Sequence, residues 1–176
     1  MKIAVVSSTK RGETDLLLAK SAEKLQAKGA VLAGIVKELD YVAGYDNGCD
    51  MKVRVLPDGP VIQITQSLGK GSDACRLDPS AIVTAVSTVE NSDLAGADMF
   101  ILNKFGPEEA AGRGFCTVIG AALEQDIPVL VGVSAAIRDA FDTFVDGLAV
   151  TVSPDEDAIQ DWCLAAMSKD DQAENT

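Results

Sequence analysis

Polar and charged side chains crowd the stretch that follows a short apolar run in the middle of the chain. The run is Met99 to Leu102, four apolar residues of the kind that form a strand buried on both faces of a sheet. Ligands of open α/β sheets bind beyond the carboxyl ends of the strands, so the next residues are the first candidates for a site. They carry amide, cationic and carboxylate groups separated by glycines: Asn103, Lys104, Gly106, Glu108, Glu109, Gly112, Arg113 and Gly114.

The residue types present limit the chemistry of such a site. The chain has no histidine, which excludes Ser-His-Asp and Cys-His catalysis and leaves acid-base work to carboxylates or lysine. Its four cysteines are scattered without a Cys-x-x-Cys pair, so we expect reduced thiols and no metal site.

Cationic groups near the predicted strand ends favour an anion as the ligand. Arginine presents its donors in a fixed fork that suits planar or tetrahedral oxyanions. Glycines beside Lys70 and Arg113 leave backbone amides unobstructed, as anion-binding loops require. A helix predicted from about Gly112 to Gln125 would turn its positive end to the same anion. We therefore predict an oxyanion or nucleotide-phosphate pocket lined by Arg76, Lys104 and Arg113, although Arg76 could instead pair with a nearby aspartate.

A second candidate lies near the N-terminus, between a predicted strand (2–7) and a predicted helix (12–28). Phosphate-binding loops in this position follow Gly-x-x-x-x-Gly-Lys-Ser/Thr, in which backbone amides hold the phosphates and the lysine neutralises them. The frame from Ser7 to Thr14 keeps Gly12 and Thr14 but has Ser7 for the first glycine and Glu13 for the lysine. A carboxylate there repels a polyphosphate. The alternative is an ordinary turn in which Glu13 and Asp15 complement the helix N-terminus.

The order of apolar runs and helical patterns predicts an α/β protein. A β-α-β start indicates a parallel sheet, because parallel neighbours need a long crossover. Two alternating segments joined by Asp58-Gly59 predict an antiparallel hairpin within an insertion at about 40–66. We expect three layers, with helices on both faces of the sheet, in one domain spanning 1–168, followed by a disordered tail at 169–176. Asp78 and Ser153 are the predicted caps of two helices.

The overall charge excludes some partners. A formal net charge of −12 argues against binding of nucleic acid or an anionic membrane, but permits a small cationic pocket. No apolar run has the length of a membrane span, and the N-terminus lacks the features of a secretory signal, so we expect a cytoplasmic protein. The sequence leaves open a homo-oligomer or a protein partner.

Three motifs together resemble an uncharacterised bacterial family whose members are often encoded beside molybdate-transport or nitrogenase genes. They are the 7–14 frame, Cys-Arg-Leu-Asp-Pro at 75–79, and Asn-Lys-Phe-Gly-Pro-Glu-Glu-Ala-Ala-Gly-Arg-Gly-Phe at 103–115. That family in turn resembles diverged small P-loop nucleoside triphosphatases. The resemblance implies a P-loop-NTPase-like, mostly parallel sheet, with the small antiparallel β insertion as a departure from it.

The resemblance also implies what this chain has lost. In the active triphosphatases the strand matching Met99–Leu102 ends in an aspartate that organises magnesium, and a glutamate after it activates water. Here Asn103 and Lys104 replace the Asp-Glu pair, and Glu109 falls at the later glutamate. Asparagine supplies no negative charge, and lysine is a poor substitute for a carboxylate base. Glu13 and Lys104 thus suggest a charge exchange, with the two side chains as partners.

Three functions remain open from the sequence. The first is a degenerate P-loop protein that binds an oxyanion such as molybdate or phosphate, or a nucleotide phosphate, without efficient hydrolysis and as an accessory to molybdenum metabolism. The second is an active triphosphatase that uses Thr14, Glu109 and Asp78 in new roles. The third is a protein-interaction scaffold without a small ligand. The predicted binding residues are Ser8, Thr9, Gly12, Thr14, Arg76, Asn103, Lys104, Gly112, Arg113 and Gly114.

Overall fold

Seven strands form a single mixed sheet in the computed structural model, which describes residues 1–41, 51–66 and 77–168. The spatial order is β4-β3-β2-β5-β6-β1-β7. The strands are β1 (Ile3–Val6), β2 (Leu32–Lys37), β3 (Lys52–Leu56), β4 (Val61–Gln63), β5 (Met99–Phe105), β6 (Val129–Val133) and β7 (Val150–Val152). The predicted tail, Arg76 and the glycines around Lys70 lie outside the described residues.

The described part of the chain contains six α-helices, of which the last follows the final strand. They are α1 (Glu13–Ala27), α2 (Pro79–Glu90), α3 (Pro107–Ala110), α4 (Cys116–Glu124), α5 (Arg138–Phe144) and α6 (Glu156–Met167), with two short 3-10 turns at Leu94–Gly96 and Ala135–Ile137. None of the helices in the described part of the chain combines the length and apolar character needed to cross a bilayer.

The central strands are apolar throughout because both of their faces are covered. Residues of β1 and β5 alternate between two separate clusters of buried side chains. One cluster packs α2, α4 and α5 against one face of the sheet, and the other packs α1 and α6 against the opposite face. The predicted three-layer α/β architecture is confirmed.

The pairing of the strands brings several carboxyl ends together. Strands β2, β5, β6, β1 and β7 are mutually parallel, and β6 lies between β1 and β5. The loops that follow β1, β5 and β6 therefore emerge side by side at one edge of the sheet. The predicted hairpin is also present: β3 and β4 are antiparallel and extend the sheet beyond β2.

A close contact between β2 and β5 requires glycine. Gly34 has φ +105°, and a Cβ added there would lie 1.9 Å from the carbonyl oxygen of Ile101. Only a residue without a side chain fits this position, so Gly34 sets how closely the edge part of the sheet approaches its centre.

Two helix starts test the predicted caps. The Asp78 carboxylate accepts hydrogen bonds from the backbone N–H groups of Ser80 and Ala81 at 2.9 and 3.4 Å, as predicted. The prediction for α6 was wrong. The cap is Asp155, whose side chain accepts from the Ala158 N–H at 3.0 Å, while Ser153 lies two residues before it.

The cap of α6 gives a direct test of this assignment. Replacing Asp155 by alanine is expected to lower the free energy of unfolding by about 1 kcal/mol, because one N–H of the first turn loses its acceptor. Urea denaturation followed by circular dichroism measures the change. Ser153→Ala is the matched control and is expected to stay within about 0.5 kcal/mol of the wild type. A larger loss for Ser153→Ala than for Asp155→Ala contradicts the assignment.

Candidate functional site

A cleft of about 240 Å³ opens where the loops after β1, β5 and β6 meet. Its walls contain three cationic side chains, several hydroxyl and amide groups, and one carboxylate among the described residues. The lining residues are Ser8, Thr9, Lys10, Arg11, Gly12, Thr14, Asp15, Asn103, Lys104, Gly132, Val133 and Ser134. Six of the ten predicted binding residues are thus brought together here: Ser8, Thr9, Gly12, Thr14, Asn103 and Lys104.

The loop between β1 and α1 is closed by its own polar groups. The Ser8 N–H donates to the Thr14 hydroxyl at 3.0 Å, and the Lys10 N–H donates to the Ser8 hydroxyl at 3.1 Å. Gly12 adopts φ +74° immediately before the helix, a conformation that glycine enters at low cost. The chain therefore wraps back on itself and turns the first N–H groups of α1, which lack helical acceptors, toward the loop.

Glu13 occupies the place where a phosphate-binding loop carries its lysine. Its carboxylate contacts the Ser8 hydroxyl and lies 3.7 Å from the Lys10 ammonium. The expected pairing with Lys104 is wrong, because Lys10 and Ser8 are the partners of Glu13. Glu13 thus brings a negative charge to Ser8 and Lys10 of the loop, at the sequence position where the resemblance places a positive one, although it is absent from the described lining of the cleft.

The end of β5 supplies the amide and the ammonium group of the cleft. Asn103 is 2% exposed, and its side-chain oxygen accepts from the Lys37 N–H at 3.2 Å. Lys104 is exposed, and no carboxylate of the described residues lies within 4 Å of its ammonium group. Lys104 is therefore available to a ligand, while Asn103 forms part of the wall.

Asp15 is the one acidic side chain among the described residues that line the cleft. Burial raises the pKa of Asp15, while Lys104, Lys37 and a hydrogen bond from Asn103 act in the opposite direction. Asp15 was not predicted as a site residue, because an aspartate in a first helical turn is fully explained by the helix dipole.

The loop after β6 was also missed. Gly132 and Ser134 line the cleft, and a Cβ on Gly132 would come within 2.3 Å of the Asn103 carbonyl oxygen. The missing side chain allows β6, β5 and α1 to meet at this point. The order of the strands could have identified these residues, since β6 lies between the two strands that carry the predicted site.

Arg113 does not join the cleft, which corrects the predicted pocket. Its guanidinium binds the Glu108 carboxylate through two hydrogen bonds of 2.8 and 3.1 Å. With Gly114 it lines a different depression, against α2. Helix α4 begins at Cys116, not near Gly112, so Arg113 lies before the helix and not at its start. Gly112 lines neither cavity.

The contacts of Glu109 indicate a structural role. It is 6% exposed, and its two oxygens accept hydrogen bonds from the Gly106 N–H at 2.9 Å and the Phe115 N–H at 3.1 Å. Gly114 makes room for it, because a Cβ there would lie 2.1 Å from a Glu109 oxygen. Glu109 and Asp78 are both absent from the described lining of the cleft, so neither is placed to activate water there.

The magnesium ion implied by the resemblance does not fit the oxygen ligands that Thr14 and Asn103 offer. The Thr14 hydroxyl accepts from Ser8, and Asn103 is neutral, accepts from Lys37 and stands beside cationic Lys104. Mg²⁺ is normally held by carboxylates, waters and substrate phosphates. Across the three described ranges, no group of three or more Asp, Glu or Cys side chains could hold a metal ion.

A solved structure shares this fold. The chain is similar to a human cancer-related nucleoside triphosphatase solved in solution, with a TM-score of 0.59, 13% identity and coverage of 99% of this chain and 100% of that one. At this identity the likeness establishes the fold alone. Together with the loop after β1, it defines a P-loop-NTPase-like α/β fold.

Sequence comparison gives the family. Residues 3–162 match the family described as protein of unknown function (DUF2478), and the chain belongs to that family. The chain is also 31% identical over 163 residues to the molybdenum import ATP-binding protein ModC 2 of Bradyrhizobium diazoefficiens. That match covers 92% of this chain and 18% of the longer relative.

Proposed function

We propose that this protein binds a small oxyanion, or the phosphate group of a nucleotide, in the cleft without hydrolysing it efficiently. The observation that carries the proposal is the position of Lys104, an exposed ammonium group that faces the loop after β1 and has no ion-pair partner among the described residues.

The charge of the cleft supports an anionic ligand. Among the described residues that line it, Lys10, Arg11 and Lys104 are cationic and Asp15 is the one acidic residue, in a protein whose formal net charge is −12. A local cationic cavity in an acidic molecule concentrates anions where the rest of the surface repels them. The start of α1 adds the partial positive charge of a helix N-terminus.

The dimensions favour a small ligand. The cleft of about 240 Å³ lies below the range of roughly 300–1,000 Å³ in which drug-sized ligands bind. A tetrahedral oxyanion, or the terminal phosphate of a nucleotide whose remainder stays outside, matches this size better than a whole enclosed nucleotide.

The residues needed for fast hydrolysis are replaced or used elsewhere. Glu13 opposes the charge of a triphosphate, Asn103 supplies no anionic oxygen for a metal, and Glu109 holds two backbone N–H groups. This placement favours binding without turnover over a triphosphatase that would employ Glu109.

The similarity to a molybdenum import ATP-binding protein supports a role in molybdenum handling, with molybdate among the candidate ligands. Because the match covers 18% of that protein, the chain would supply one accessory part of such a system and not its transport activity.

Isothermal titration with phosphate, sulfate, molybdate and ATP tests the proposal on the full chain. Lys104→Met is expected to weaken the tightest of these interactions about tenfold, since one partly screened charge contact with the anion is lost. Lys28→Met, beyond the far end of α1, removes the same charge and is expected to leave the affinity unchanged.

Two outcomes separate the competing functions. Absence of binding by all four anions contradicts the proposal and favours a protein-interaction scaffold. Release of phosphate from ATP well above background, with loss of release in Lys104→Met, favours an active triphosphatase instead.

A further inference from the structure

We infer that Asp15 makes the cleft selective for an oxyanion that keeps a proton at neutral pH, as inorganic phosphate does, over sulfate, molybdate and phosphate monoesters. This inference rests on the proposed function and names the ligand class of the same site.

The inference starts from the placement of Asp15 opposite the cations. Asp15 is half-buried in the first turn of α1 and lines the cleft beside Thr14 and Lys104. No ion pair within 4 Å joins its carboxylate to a lysine or arginine of the described residues, and Asn103, Lys104 and Lys37 are near enough to lower its pKa. A carboxylate has about four acceptor positions. Asp15 therefore keeps acceptor capacity toward the cavity.

A carboxylate in an anion cleft acts on the protonation of the ligand. It accepts a hydrogen bond from an oxyanion that carries an O–H group, and such charge-assisted hydrogen bonds are strong. Against an oxyanion without a proton it offers only repulsion, because no donor stands between the two negative oxygens. The lysine and arginine side chains of the cleft then attract every anion, while Asp15 disfavours the binding of those that carry no proton.

Common oxyanions differ in this property. Inorganic phosphate retains one proton throughout the neutral range, whereas sulfate and molybdate retain none there. A phosphate monoester has a second pKa of about 6 and is mostly without a proton above pH 7. The same cleft should therefore separate inorganic phosphate from the terminal phosphate of a nucleotide.

The surroundings of Asp15 allow a shared proton to lie either on the Asp15 carboxylate or on the bound oxyanion. The charged groups that act on Asp15 are Lys104 from β5 and Lys37 from β2, and Lys10 and Arg11 line the same cleft, while Glu13 pairs with Lys10. Burial, the largest influence, raises the pKa of Asp15, so the free carboxylate takes up a proton at a higher pH than an exposed aspartate. An unprotonated anion in the cleft raises that pKa further, so its binding is coupled to proton uptake by Asp15.

The pH dependence of the wild-type chain tests this without any substitution. Titrations between about pH 6 and pH 8 should show sulfate and molybdate binding more tightly as the pH falls, by up to about tenfold per unit for uptake of one proton. Phosphate binding should change little over the upper half of this range and exceed sulfate binding by at least about tenfold near pH 7.5.

Asp15→Asn provides the second arm. Sulfate and molybdate affinity should increase at least about fivefold, their pH dependence should flatten, and the preference for phosphate should disappear. Asp157→Asn, which removes a carboxylate from the first turn of α6, is the matched control and should preserve both the preference and the pH profile. A merely structural role of Asp15 would lower all affinities together.

The results that overturn the inference differ from those that overturn the proposed function. Equal binding of phosphate and sulfate with flat pH profiles contradicts the inference and leaves anion binding intact. Absence of binding by any anion across this pH range contradicts both.

Discussion

Replacing Glu13 by lysine is expected to increase the affinity for ATP about 100-fold. Unit charges 4 Å apart near a protein surface interact by about 4 kcal/mol, and exposure of the loop reduces this. Glu13 reaches back to Ser8 and Lys10, over the loop that would hold the phosphates, so the substitution exchanges repulsion for attraction at the same place. Titration calorimetry with ATP at fixed ionic strength measures the gain.

Two variants separate a local effect from a change in total charge. Glu13→Gln removes the repulsion without adding a cation and is expected to increase the ATP affinity about tenfold. Glu23→Lys makes the same charge change on the exposed part of α1 about 15 Å along the helix, where no effect beyond weak screening is expected. Equal gains from Glu13→Lys and Glu23→Lys would show that the loop does not face the phosphates.

Replacing Glu109 by glutamine is expected to destabilise the protein by about 3 kcal/mol. A carboxylate accepts from both the Gly106 and Phe115 N–H groups, whereas the amide of glutamine must turn its NH₂ toward one of them. In a chain of this size the corresponding decrease in melting temperature is roughly 6–12 °C. Differential scanning calorimetry measures it.

The neighbouring Glu108→Gln variant is the control for this effect. Glu108 is partly exposed, and its ion-pair partner among the described residues is exposed Arg113, so its loss should leave the melting temperature almost unchanged. The opposite pattern, an unchanged melting temperature for Glu109→Gln together with loss of measurable ATP hydrolysis, would restore Glu109 as a catalytic base and count against binding without turnover.

The sheet could be predicted because each of its strands and its hairpin is indicated by residues that are close together in the sequence. Strands buried on both faces must be apolar throughout, so β1, β5 and β6 stand out as continuous runs. The hairpin follows from alternation around Asp58-Gly59. The chain order of the strands and helices then leaves few alternatives to a mostly parallel sheet.

The start of α4 could not be predicted from local sequence patterns. The glycines at 112 and 114 were compatible with a helix beginning near them, but they adopt φ +80° and +59°. The reason is the buried carboxylate of Glu109, which draws in the Phe115 N–H across a tight loop. Such a contact between a buried side chain and a loop backbone leaves no periodic pattern in the sequence. Because the contact could not be predicted, Arg113 was expected in the cleft, whereas it lines the depression against α2.

The site was predicted where it follows strand ends and missed where it depends on contacts across elements. Asn103 and Lys104, which line the cleft, were predicted because they directly follow a buried run. Asp15 was interpreted as a complement to the helix dipole, since its contact with Asn103 exists only after α1 packs on the sheet. Ser134 was missed because a serine after a strand is also an ordinary start for a helix.

The nearness of Asn103 to Asp15 limits which charges this wall of the cleft can carry. Asn103 acts to lower the pKa of Asp15, and its side-chain oxygen accepts from the Lys37 N–H. An aspartate at 103 would set two carboxylates against each other in a half-buried wall. The wall thus accommodates a negative charge at position 15 or at position 103, but not at both together.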